Sequence, residues 1–175
     1  EGRIYAWHAD GTLVKPGFPR LVDGSGISQP IALAPLDALP GLDIVATTAV
    51  GSVYAIGGDG LDLPGWPISF ATLTLAPVVG TLGAGASPSV LIANGNSLDA
   101  FAPDASPRWT ATLPGAVLRP PALGDLDEGD GGGLCLGRRL DSQCVVGAAL
   151  GLFARPAVDD LDGAGRLLAA DEILG

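Results

Sequence analysis

The chain has no methionine, one histidine (His8), one lysine (Lys15) and two cysteines (Cys135 and Cys144) in 175 residues. Any Ser-His-Asp or Cys-His machinery must run through His8, and no G-x-S-x-G marks a nucleophile for it. His8 instead precedes an Asp10-Gly11 turn, where a solvent-facing histidine is ordinary. The cysteine spacing excludes a C-x-x-C redox or zinc motif. Charged residues make up only 16% of the chain, against about a quarter in globular proteins. Much of the backbone must therefore lie in sheets buried on both faces, or against a neighbour. Glutamate is nearly absent: all but three of the 19 acidic residues are Asp, the exceptions being Glu1, Glu128 and Glu172. Asp bonds its own backbone in turns whereas Glu favours helices, so the bias is towards turns and loops. The net charge of −10 excludes a nucleic-acid partner, and the one basic pair, Arg138-Arg139, reads as a solvated turn. No apolar run reaches the roughly 18 residues of a membrane span; the longest, 144–154, is broken by glycine.

What is abundant is glycine (27) and proline (15), the punctuation of many short elements. The chain also repeats itself. EGRIYAWHADGTLVKPGFP opens the sequence, GSVYAIGGDGLDLPGWPIS follows at 51–69, and SLDAFAPDASPRW at 97–109 keeps the same frame. The anchors are Ala6, Ala55 and Ala100, each followed four residues later by an Asp. A second series runs through QPIALAPLD (29–37), LAPVVGTLG (75–83), RPPALGDLD (119–127) and ARPAVDDLD (154–162). Two interleaved series with one period near 45 residues match propeller blades, which run to about 40–50 residues with four strands each.

The second repeat divides into PIALAPL, DIVATTAV, SVYAI and PGWPISF, and no segment has a clean helical period. In IYAWH, Ile4 and Ala6 face one way and Tyr5 and Trp7 the other, so both faces are apolar. Trp7, Trp66, Trp109, Phe18 and Tyr54 are accordingly expected to pack between blades. The expected fold is all-β: a β-propeller of about four repeats of four-stranded antiparallel blades. Its divisions are 1–26 (partial blade), 27–70, 71–115, 116–154 and 155–175 (partial blade). The preferred reading is an arc of a larger propeller; closure of a four-bladed ring by the two partial blades is the other. Beginning at Glu1 inside a repeat, the chain reads as a mature fragment or one domain of a longer protein.

The run G-x-[IV]-Y-A, D-G turn, P-G-[FW]-P and P-[AV]-[LV]-[GD]-D-L-D-x-x-G resembles the FG-GAP or VCBS repeat of integrin-alpha-like propellers, from Gly2 to about Gly165. The third repeat, ending in Trp109, also resembles the quinoprotein-like repeat. The resemblance implies a secreted or cell-surface recognition or adhesion scaffold, binding protein or glycan through rim loops, with the remaining blades of a larger propeller as the other partner. The alternative is the body of a secreted enzyme, a quinoprotein-like dehydrogenase or glycan lyase, whose reacting residues lie elsewhere. No catalytic or cofactor-binding residue is assigned. Relatives carry a calcium loop, D-x-D-x-D-G-x-x-D. Here Asp125, Asp127 and Asp130 form the fullest copy, Asp160 and Asp162 a poorer one, and 35–43 keeps only Asp37 and Asp43. These either bind calcium weakly or cap turns. The glycines at 129–133 lack the G-K-[ST] of a phosphate loop. Cys135 and Cys144 lie across a hairpin if LCLG and QCVV are neighbouring strands, and form either a disulfide or a buried thiol pair.

Overall fold

A computed structural model describes residues 2–71, 74–82, 86–124, 133–137 and 142–146, the last two segments by their backbone. Among these residues every regular element is a strand. The first layer is a two-stranded sheet of β1 (Arg3–Ile4) and β2 (Arg20–Leu21). The second is an antiparallel meander of β3 (Ala32–Ala34), β4 (Asp43–Thr47), β5 (Ser52–Ile56) and β6 (Ile68–Ser69). The third repeats it with β7 (Val78–Gly80), β8 (Ser89–Asn94), β9 (Ser97–Phe101) and β10 (Pro107–Thr112). The last contains β11 (Ala122–Gly124), β12 (Gly133–Gly137) and β13 (Ser142–Val146).

The strands fall where β-branched and apolar residues concentrate, and the side-chain period of two explains why so few charges are needed. In β4 and β5, Val45, Val53 and Ala55 meet Val90 and Ile92 of the third layer, while Ile44, Ala46, Tyr54 and Ile56 meet Ile4, Phe18 and Val22 of the first. In β8 and β9, Leu91, Ala93, Leu98 and Ala100 turn away towards Leu123 of the fourth. Both faces of the inner strands β4, β5 and β8 are thus core. β7 also approaches β3 on one side and β11 on the other, so the first strands of three successive sheets are neighbours.

Ala55 and Ala100 are fully buried and Ala6 packs against the core, each facing the layer that follows it in the chain. Strand lengths depend on proline. Pro16 and Pro19, and Pro64 and Pro67, cannot donate to a ladder, so β2 and β6 hold two residues each. The third repeat has no proline between Pro107 and Pro114, and β10 continues to Thr112.

Packing between layers is confirmed for Phe18, Tyr54 and Trp66, which are buried, and Trp109 packs against the third layer's core. Trp7 departs from expectation: it is 60% exposed and stacks on Tyr5, itself 48% exposed, with centroids 5.5 Å apart and planes 11° apart. The face carrying them is turned away from the second layer, and no described residue covers it. Leu33 is likewise 57% exposed, because the first layer has no described strand beside β1 to lie over it.

Candidate functional site

A meander places alternate connections at opposite ends of the stack. Among the described residues, one end gathers the first-to-second and third-to-fourth strand connections, and the best-organised turns are there. In the third-to-fourth connections one turn is built three times. His8 N–H donates to Thr12 O at 2.8 Å, Gly57 N–H to Leu61 O at 2.8 Å and Ala102 N–H to Ser106 O at 2.8 Å. Gly11, Gly60 and Ala105 donate back to residues 8, 57 and 102. All three adopt a left-handed backbone, φ 82°, 82° and 64°; glycine accepts this freely and alanine does not. The repeated Asp completes each turn: Asp10, Asp59 and Asp104 accept the backbone N–H two residues on, at 2.9, 2.9 and 3.1 Å. The hydroxyl and N–H of Thr12 hold the Asp10 carboxyl below its usual 3.8, and those of Ser106 do the same for Asp104.

These turns are seated on the preceding layer. The Gly17 α-carbon lies so close to the Asp59 carbonyl that a Cβ there would fall 1.8 Å from its oxygen, and one on Gly60 would fall 2.4 Å from Gly17 O. A Cβ on Gly65 would fall 2.2 Å from Asp104 O. The Pro-Gly-aromatic-Pro segments of the first two repeats are therefore the seats for the turns of the second and third. Trp66 Nε1–H adds a 2.8 Å bond to Pro103 O, and Arg20 pairs with Asp62 at 2.7 Å between the first two layers. That function of the glycines was not visible in the sequence, because each contact joins residues about 40 apart.

The first-to-second connections also share one frame. Ala34 pairs with Asp43, Gly80 with Ser89 and Gly124 with Gly133, so the paired strand ends are the same number of residues apart in each copy. In the first of them the buried Asp43 accepts N–H bonds from Leu36 (2.7 Å) and Asp37 (3.1 Å), and Asp37 accepts one from Leu39 (2.8 Å). Both carboxylates of this copy cap the loop. Asp125, Asp127 and Asp130, with Asp160 and Asp162, lie outside the described residues, as do Arg138 and Arg139. Among the described residues no group of three or more His, Cys, Asp or Glu converges as a metal cluster does. The His8 side chain is exposed at the edge of the first turn. Beside these braced loops, Leu39, Leu42 and Leu61 are 65%, 53% and 67% exposed at the same end of the stack.

At the opposite end, Asp23 accepts the Thr48 hydroxyl at 2.7 Å, and its backbone N–H donates to Tyr54 Oη at 3.1 Å, tying the first layer to the second. Partial burial opposes ionisation of Asp23, but hydrogen bonds from Ser25 and Thr48 outweigh it and hold the carboxyl below 3.8.

Cys135 and Cys144 are direct partners in the β12–β13 register. Each occupies a telling place in the repeat. Val45 pairs with Ala55 and Leu91 with Ala100, so Cys144 stands at the register position of the repeat alanines. Compared with known proteins, the chain matches no family model and no curated protein.

Proposed function

We propose that the chain is a β-propeller segment of FG-GAP/VCBS-like repeats, and that it serves as a non-enzymatic extracellular recognition or adhesion scaffold. The observation that carries this reading is the edge of turns: one backbone design, repeated in successive layers and pinned from layer to layer, holds a rigid frame whose projecting side chains differ. Such a frame presents variable loops at fixed positions, as binding surfaces on rigid scaffolds do. The face-to-face stacking and the neighbouring first strands of three sheets support radial packing of blades. The ligand is a protein or glycan gripped at the end bearing 35–42 and 57–62, where exposed leucines alternate with Asp-braced turns. Calcium in the loop containing Asp125, Asp127 and Asp130 would brace that same end.

The test is to probe arrays of extracellular proteins and glycans with the intact chain, then repeat with Leu39→Asp and Leu61→Asp. Binding that falls at least about tenfold, or roughly 1.4 kcal/mol, with unchanged melting supports the reading. Binding that survives these changes but is lost with Val50→Asp, at the opposite end, overturns it.

A further inference from the structure

The exposed Tyr5–Trp7 face has two internal precedents. Ala6, Ala55 and Ala100 are equivalent, so Tyr5 and Trp7 stand where the second repeat has Tyr54 and Ile56 and the third has Asp99 and Phe101. Tyr54 and Ile56 pack backwards onto the first layer, and Phe101 packs backwards onto the second, its ring 6.2 Å from Trp66. The turn beside this face has the same history. Gly60 meets Gly17, Ala105 meets Gly65, but a Cβ on Gly11 would meet nothing within 4 Å. Leu21, opposite Arg3 in β1–β2, extends the apolar surface and is 47% exposed.

We infer that the Tyr5–Trp7 face and the Asp10-Gly11 turn together form a docking surface for another sheet of this same repeat type, in line with the layers described. The docked sheet has defined chemistry. It presents a small residue at the alanine position of its third strand, and a Pro-Gly-aromatic turn whose glycine carries no Cβ to strike the Asp10 carbonyl. Where that aromatic is Trp, its indole N–H donates to the carbonyl of Ala9, as Trp66 donates to Pro103. The inference rests on linear stacking of layers and not on ring closure, so it can fail while the propeller reading stands, and the reverse.

The experiment supplies such a layer from the chain itself. Residues 27–96 are placed ahead of Arg3, so that β1 follows a copy of β8 as β9 does, and the copied Pro64-Gly65-Trp66 precedes the Asp10-Gly11 turn. Hydroxyl-radical labelling read by mass spectrometry then compares Trp7 in the lengthened and original chains. Trp7 is 60% exposed and Ile56, its equivalent in the second repeat, is 0% exposed, so labelling of Trp7 should fall roughly fivefold or more on docking into an interior-like contact. Gly65→Ala in the appended copy alone should restore it. Trp7 labelled as before counts against the inference, whether or not the appended Trp66 is itself protected, because docking is what should order that layer. Self-association of the original chain that protects Trp7 and disappears with Trp7→Ser would assign the face to a second copy and overturn the proposal.

Discussion

Gly11 and Gly60 are the same residue in the same turn at the same φ of 82°, and they differ only in what lies opposite. Replacing each with alanine separates backbone strain from contact between layers. Both substitutions force an L-residue into the left-handed region, at a cost of about 1–2 kcal/mol. Both also lose the same unfolded-chain entropy, which cancels in the comparison. At Gly11 nothing else happens, since no atom lies within 4 Å of the new Cβ. At Gly60 the Cβ falls 2.4 Å from Gly17 O and 2.5 Å from Gly17 Cα, against backbone that cannot rotate away. The layers must separate locally, and overpacking of that kind adds about 1–3 kcal/mol. Net of that entropy, Gly11→Ala should cost about 0.5–1 kcal/mol and Gly60→Ala about 1.5–4. With a urea slope near 2 kcal/mol/M, the extra loss at Gly60 lowers the midpoint by about 0.5–1.5 M relative to Gly11→Ala. Equal midpoints for the two variants would falsify the turn-in-seat contact, and with it the layer order drawn from it.

The third copy of the turn provides the reverse test: Ala105→Gly relieves a φ of 64°, and after the entropy it restores to the unfolded chain it should still stabilise by about 0.5–1 kcal/mol in the same titration. Asp104 titrates below 3.8 because Ser106 hydrogen-bonds its charged form. A depressed carboxylate contributes stability that is present above its unfolded pKa and lost as pH falls through the folded one, so the effect is confined to acid solution below about pH 4. NMR titration should show Ser106→Ala raising the Asp104 pKa towards 3.8, and an unmoved titration would discount the turn. The direct pairing of Cys135 with Cys144 leads to a disulfide in protein made under oxidising conditions; mass spectrometry of unreduced material finding two free thiols contradicts it. Millimolar calcium should raise the melting temperature modestly, by the equivalent of roughly 1 kcal/mol at a few times Kd. Asp127→Ala should remove the response, and a chain indifferent to calcium leaves these aspartates as turn caps.

Strand positions in the second repeat were legible in the sequence because DIVAT and SVYAI are bounded by Gly, Pro and Asp and are apolar on both faces. The alanine anchors were legible too, since a small residue recurring in phase marks a close approach of sheets. Exposure of Trp7 was not, because a sequence pattern records that a face is apolar but not whether a neighbour is present to cover it. The place of Cys144 is in phase, 44 residues after Ala100, but it was hidden because the position holds cysteine and Ala148 stands where each earlier anchor is followed by Asp; the register, with Cys135 opposite, shows it. At the candidate edge the aspartates could be seen, but their division of labour could not. Asp37 and Asp43 fit a degenerate metal loop as well as they fit a capped one, and only the N–H bonds from Leu36, Asp37 and Leu39 decide between the two.

The seat and the turn that fills it are halves of one joint carried on each of the first two repeats, so duplicating either also duplicates both halves in the orientation needed to fit. Growth of such a chain by copying requires no new surface to evolve. The third repeat breaks this symmetry: its Asp104 turn is received by Gly65, but by strand register Arg108 stands where its predecessors carry the seat glycine, between a retained Pro107 and Trp109, and β10 runs straight through. That repeat can follow either of the others but cannot precede a copy of them through the same joint. The order of repeats is therefore written into the chain as a direction, and a shuffled arrangement of identical composition would not assemble.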